Sequence, residues 1–144
     1  MHPFLGSKFG ILISPAAIVD DASWTTNEID TYGYDYLKIH FFIGATDIAV
    51  AALAVTESDT SGSGHANVTG LVASGTTGDS RLPTATDDDN IFSMFIDLRG
   101  RKRYIDVTAT AGDGTSGTFA AGIYELCRAK EAPLTAAQQG LAGP

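Results

Sequence analysis

The chain has 144 residues, 44% of them hydrophobic, with nine Lys and Arg against seventeen Asp and Glu, a formal charge of −8. That length suits a single domain whose core needs neither disulfides nor metal, and the negative balance opposes binding to a phosphate backbone. A single cysteine, Cys127, rules out an internal disulfide and a paired-cysteine zinc knuckle.

The first nine residues, MHPFLGSKF, read as an arm that orders only against something else. No charged n-region and apolar h-region follow, so no signal peptide is expected. The longest apolar run, IAVAALAV, has eight residues and is far too short to span a membrane. The chain is therefore expected to be soluble, made in the cytoplasm, and without a membrane partner.

Residues 11–19 form a first strand candidate, in which Pro15 marks an edge or a bulge. Residues 20–31 are polar turn material, with a short strand at 28–31 before Gly33. In YDYLKIHFFIG, residues 34–44, Leu37, Ile39, Phe41 and Ile43 fall on one parity and Tyr36, Lys38, His40 and Phe42 on the other. This period of two predicts a strand with one apolar and one mixed face. DIAVAALAVTES, residues 47–58, offers a helical stripe, but its β-branched residues and glycine-rich flanks favour a buried strand paired with the one before it.

Between 59 and 90 the composition turns to Ser, Thr, Gly and Asp, with one strand at 68–73. SGTTGDSRLPTATDDDN then reads as a long exposed loop. Residues 91–98 place Phe92, Met94, Ile96 and Leu98 on one side. After a turn at Gly100, Ile105, Val107 and Ala109 alternate with Tyr104, Asp106 and Thr108. A last strand at 118–128 sets Phe119, Ala121 and Ile123 opposite Gly122, Tyr124 and Leu126. Beyond it, only a weak helical turn after Pro133 is foreseen. Seven or eight short strands without strand–helix alternation predict an all-β, antiparallel, jelly-roll-like β-sandwich. The organisation is an N-terminal arm at 1–9, the sandwich at 10–130 and a tail at 131–144.

Catalytic patterns are not found. His2, His40 and His65 are scattered, no Gly-x-Ser-x-Gly occurs, and GDGTSG lacks the lysine and helix of a phosphate loop. No catalytic, cofactor-binding or metal residue is assigned, and no enzyme activity is expected. Asp87 and Asp89 supply hard oxygen donors for calcium, but the turn glycine and closing carboxylate are missing, so a solvated acidic loop is the favoured reading. Asp113, in GDG, is first a turn signal. Cys127, in an apolar run, reads as a buried thiol.

The segment DLRGRKRY gathers Arg99, Arg101, Lys102 and Arg103 around Gly100, four of the nine basic residues. A nucleic-acid surface needs a broad positive field with several stacking aromatics, and Tyr104 stands alone there, so no nucleic acid is expected. Arginine forks suit carboxylates. The expected partners are those of the TDDDN loop, within the chain or across a subunit boundary, with a solvated turn as the even alternative. Tyr34 and Tyr36, with Phe42 and Trp24, provide aromatic surface for an interface, a carbohydrate platform or the second half of the core. Phe42 is expected in the core.

Two long segments, YGYDYLKIHFFIGATDIAVAALAVTESDTSG and LPTATDDDNIFSMFIDLRGRKRYIDVTATAGDGTSGTFAAGIYELCRAKEAP, resemble the head decoration or capsid cement proteins of tailed phages. The likeness lies in strands and turns, notably GATDIA, ESD, DLRGRKRY and TATAGDG, and it covers residues 32–133. It implies a β-sandwich structural protein, often a homotrimer, on the outer surface of the virion, where it bridges subunits of the major capsid protein. It also implies that arm and tail reach neighbours and that DLRGRKRY is a contact turn. The competing reading from another class is a carbohydrate-binding β-sandwich module of a phage or bacterial surface protein. A small jelly-roll enzyme ranks below both, because the predicted inward positions are aliphatic or aromatic.

Overall fold

The structure, a computed structural model, describes residues 6–16, 18–74 and 81–130. Most of the expected arm, the whole tail and the foreseen turn after Pro133 lie outside those residues. Leu37, Ile39, Phe41 and Ile43 are all buried, so the period-two pattern of residues 34–44 is realised as a strand with one face inward. Eight strands follow in chain order: β1 (Lys8–Ile13), β2 (Ile29–Asp30), β3 (Tyr34–Thr46), β4 (Ala52–Ser58), β5 (Ala66–Ser74), β6 (Asn90–Asp97), β7 (Tyr104–Thr110) and β8 (Thr118–Ala129). The described residues contain no helix.

They form two antiparallel four-stranded sheets, ordered β1-β8-β3-β6 and β2-β7-β4-β5. Only the β4–β5 connection stays within a sheet; every other connection crosses to the opposite one. Both sheets feed one buried cluster. Leu12, Leu37, Ile39, Ile96 and Leu126 come from the first, and Ile29, Val55, Val68, Ile105 and Val107 from the second. Burying an aliphatic side chain of this size stabilises by about 1.5–3 kcal/mol, so this shared interior holds the two sheets together.

Several expectations shift by a few residues, each for a physical reason. The first strand begins at Lys8, inside the expected arm, and stops at Ile13. It is an edge strand, and an irregularity between Ile11 and Ile13 turns both Leu12 and Ile13 inward. In residues 47–58 the helical stripe goes unused, and the expected pairing with the preceding strand does not form: β4 is zipped between β5 and β7 in the sheet opposite β3, and residues 47–51 serve as its lead-in. The segment foreseen as an exposed loop is anchored at Leu82 and Pro83, both buried, where the Pro83 carbonyl accepts from the Val50 amide at 3.0 Å.

One aromatic placement is a correction. Phe42 is exposed rather than in the core, because it shares the outward parity of Lys38 and His40. Of the alternatives open for Tyr34 and Trp24, both take the core. Trp24 joins the core through a backbone bond to Ala109, and its indole Nε1 has no hydrogen-bond partner among the described residues.

The two ends of the sheets differ. At one end, loops around 31–35, 58–64, 98–103 and 128–130 are tied together by bonds such as Thr31 N to Arg103 O and Lys130 N to Gly33 O. At the other, residues 19–21, 46–50, 83–88 and 112–118 interlock. The first is the basic end and the second the acidic end.

Candidate functional site

The basic turn sits between β6 and β7, closed by the Arg101 amide on the Leu98 carbonyl at 3.0 Å, with Gly100 at φ 81°. All four basic side chains have carboxylate partners within the chain. Arg99 meets Asp97 at 2.6 Å, Arg101 meets Glu57 at 3.5 Å, Lys102 meets Asp59 at 3.3 Å, and Arg103 meets Asp30 at 2.7 Å. The Arg99 fork holds the Asp97 carboxyl down at about 2, and that of Arg103 holds Asp30 below its ordinary value. Arg99 also lies over the Tyr36 ring at 5.3 Å, and Arg103 between the rings of Tyr32 and Tyr104 at 4.9 and 5.0 Å.

The partners are thus not those of the TDDDN loop. That loop belongs to the acidic end, where Asp88 accepts from the Thr46 amide at 2.9 Å and Asp87 closes a turn on Thr84. The sequence places both segments next to β6, but at opposite ends of it. Tyr34, Arg101, Arg103 and Lys130 border a recess of about 390 Å³ at the basic end. Its cations are already matched, since Lys130 and Arg128 share Asp35.

The carboxylates of the acidic end also have local tasks. Asp47 accepts backbone N–H bonds from Thr115, Ser116 and Gly117, which lower its pKa. Among the described residues no three His, Cys, Asp or Glu converge as a metal cluster would. His65 Nε2 stands 2.7 Å from Glu28, whose carboxyl is held below its ordinary value mainly by bonds from the Ser61 hydroxyl and the Gly62 amide. His40 pairs with Ser93. Cys127 is half-buried on the outer side of β8, and burial pushes its thiol up, away from nucleophilic use.

The feature that sequence reasoning missed is the outer face of the β1-β8-β3-β6 sheet. It exposes Phe9 (58%), Ile11 (51%), Phe42 (39%), Ile91 (60%) and Phe95 (70%). These residues fall on β1, β3 and β6 of one face, with Ile123 and Ala121 of β8 between β1 and β3. Its central charged pair is Lys38–Glu125 at 3.1 Å. The outer face of the other sheet is more polar, carrying Thr56, Asp106, Thr108 and Thr110 with one exposed large apolar side chain, Val72, among the described residues. The signal was present in IFSMFIDL, which is apolar on both parities.

No family model, curated protein or solved structure matches this chain.

Proposed function

We propose that this chain is a jelly-roll β-sandwich acting as a structural cement on the outer surface of a phage head, binding the major capsid protein as an oligomer. The strand orders β1-β8-β3-β6 and β2-β7-β4-β5, with almost every connection crossing between sheets, support the jelly-roll reading. The observation that carries the functional reading is the apolar outer face. An antiparallel sheet with a solvated face alternates apolar-in and polar-out, whereas here one sheet also carries large apolar side chains on its outer face, interrupted by the pairs Lys38–Glu125 and His40–Ser93. A contiguous exposed patch of this kind marks a protein that works assembled. The ionisable groups fit that role, since the clusters at both ends are spent on local structure.

The contact with the shell is assigned to the basic turn, Arg99, Arg101, Lys102, Arg103 and Tyr104, with Tyr36. Carboxylate pairs and ring stacking hold these side chains in place before any partner arrives, which lowers the ordering cost of binding. Repetition over a symmetric shell then multiplies weak contacts.

The test is co-sedimentation with expanded, empty heads that lack decoration. Saturable binding is expected, weakened by the double change Arg101→Glu and Arg103→Glu while the circular dichroism spectrum is unchanged. Absence of binding by the intact protein refutes the shell role; binding that ignores the double change moves the contact elsewhere.

A further inference from the structure

We propose that the apolar outer face of the β1-β8-β3-β6 sheet is occupied by a second copy of this chain, related by a two-fold axis running along the strands between β8 and β3. The inference rests on the reading that the chain works assembled, and it adds the occupant.

The strand registers make two rows of this face complementary to themselves, while the row between them sets the mutually bonded His40 and Ser93 against the partner's Ile123 and Ile11. The pairs Phe9↔Glu125, Lys38↔Glu125 and Lys38↔Phe95 define one row across the sheet, Phe9–Glu125–Lys38–Phe95. Rotation about the stated axis keeps each row at its own height and exchanges its ends. Glu125 then faces the partner's Lys38, and Phe9 faces the partner's Phe95. In the row formed by Ala121, Phe42 and Ile91, the large Phe42 faces the partner's small Ala121. Sheets packed face to face align within about 30°, close enough to keep such rows opposed.

Charge selects this axis from its neighbours. An axis along β3 sets Lys38 on the partner's Lys38, and one along β8 sets Glu125 on the partner's Glu125. An axis across the strands at this row does both. Only the position between β8 and β3 gives each charge an opposite neighbour on its own sheet and another across the interface, as a desolvated pair requires. The contact is two-fold, not the three-fold one implied by the resemblance.

The size of the face sets the strength. Four strands at about 4.8 Å spacing and seven residues at about 3.4 Å span roughly 19 by 24 Å. At roughly 900 Å² over both sides, this is below the size of stable specific interfaces and in the range of weak, transient ones, so the dimer is expected to dissociate on dilution.

Light scattering after size-exclusion chromatography, over a concentration series, tests the proposal. The intact protein is expected to approach twice its 15.0 kDa mass as concentration rises. Phe95→Asp should weaken pairing by at least about 30-fold with an unchanged circular dichroism spectrum. Lys38→Glu alone and Glu125→Lys alone should each be monomeric, because each sets like charges across the axis. Mixed together, the two variants should pair, which also shows that both are folded. A monomer at the highest soluble concentration, a trimer, or pairing that survives Phe95→Asp overturns the proposal. So does failure of the two charge variants to pair on mixing. Head binding separates the two readings. A dimer that never attaches refutes the shell role and leaves the pairing intact. A monomer that attaches refutes the pairing and leaves the shell role, and loss of that attachment on Phe95→Asp would give the face to the shell.

Discussion

Asp47 is the residue on which the acidic end turns. Its carboxylate accepts from the amides of Thr115 (2.8 Å), Ser116 (2.6 Å) and Gly117 (3.1 Å), fixing the glycine-rich turn that leads into β8. Nothing in the sequence near Asp47 announces this, because its partners lie about seventy residues away and are backbone groups common to any sequence. These donors favour the ionised carboxylate, so the folded-state pKa lies below the ordinary 3.8. A depressed folded-state value contributes stability above the unfolded-state value, and the contribution disappears as pH falls through the folded one. Asp47→Asn keeps one acceptor oxygen and loses the charge. Its Tm should therefore lie several degrees below that of the intact protein at neutral pH, and the two melting curves should converge as pH drops below about 4. Melts from pH 7 to pH 2 check this; a constant gap across that range would mean that charge is not what holds the turn.

At the scale of the element, strand β6 separates what alternation makes legible from what it hides. Phe92, Met94 and Ile96 were readable as one face, and that face does turn to the interior. In the same way, the inward rows of β3 and β7 follow from period two alone. Ile91 and Phe95 carry the same hydrophobicity on the opposite parity, and a local pattern has no means of saying which apolar face meets the other sheet. That choice is settled by pairing with β3, whose Leu37 and Ile39 lie beside Ile96 and Met94. The partners of the basic turn were hidden for a related reason. Glu57 and Asp59, at the end of β4, reach Arg101 and Lys102 only because β4 pairs with β7 in the sheet. The two faces of β6 should differ sharply under substitution. Ile96→Ala opens a cavity in the shared core and should cost about 2–5 kcal/mol. Phe95→Ser, at a 70% exposed position, should change the stability of the monomer by less than about 0.5 kcal/mol. Urea unfolding at a dilution where the chain is monomeric measures both; a large cost at Phe95 would mean that the outer face is covered from within the chain.

Over the whole molecule, charge is segregated along the strands. Arg99, Arg101, Lys102, Arg103, Arg128 and Lys130 gather at the basic end, each beside a carboxylate. The acidic end carries Asp20, Asp21, Asp47, Asp87, Asp88, Asp89 and Asp113, against one described cation, Arg81, which donates to the Gly70 and Val72 carbonyls. Salt therefore acts in opposite directions at the two ends. It weakens exposed ion pairs at one and relieves carboxylate repulsion at the other. Exposed pairs hold little net energy, because each sets its attraction against the entropy of two long side chains. Repulsion among carboxylates whose partners are neutral amides and hydroxyls carries no such offset, and a formal charge of −8 adds to it. Relief of repulsion should win, so Tm should rise by a few degrees between low ionic strength and about 0.5 M NaCl, where screening acts within a few ångströms. Asp89 locates the effect. It stands at φ 56°, a backbone conformation that asparagine also tolerates, so Asp89→Asn removes one charge without disturbing the turn. That variant should melt higher than the intact protein at low salt, and the difference should vanish at high salt. A Tm that falls as salt is added would show that the paired basic end, and not the crowded acidic one, governs the electrostatics of the fold.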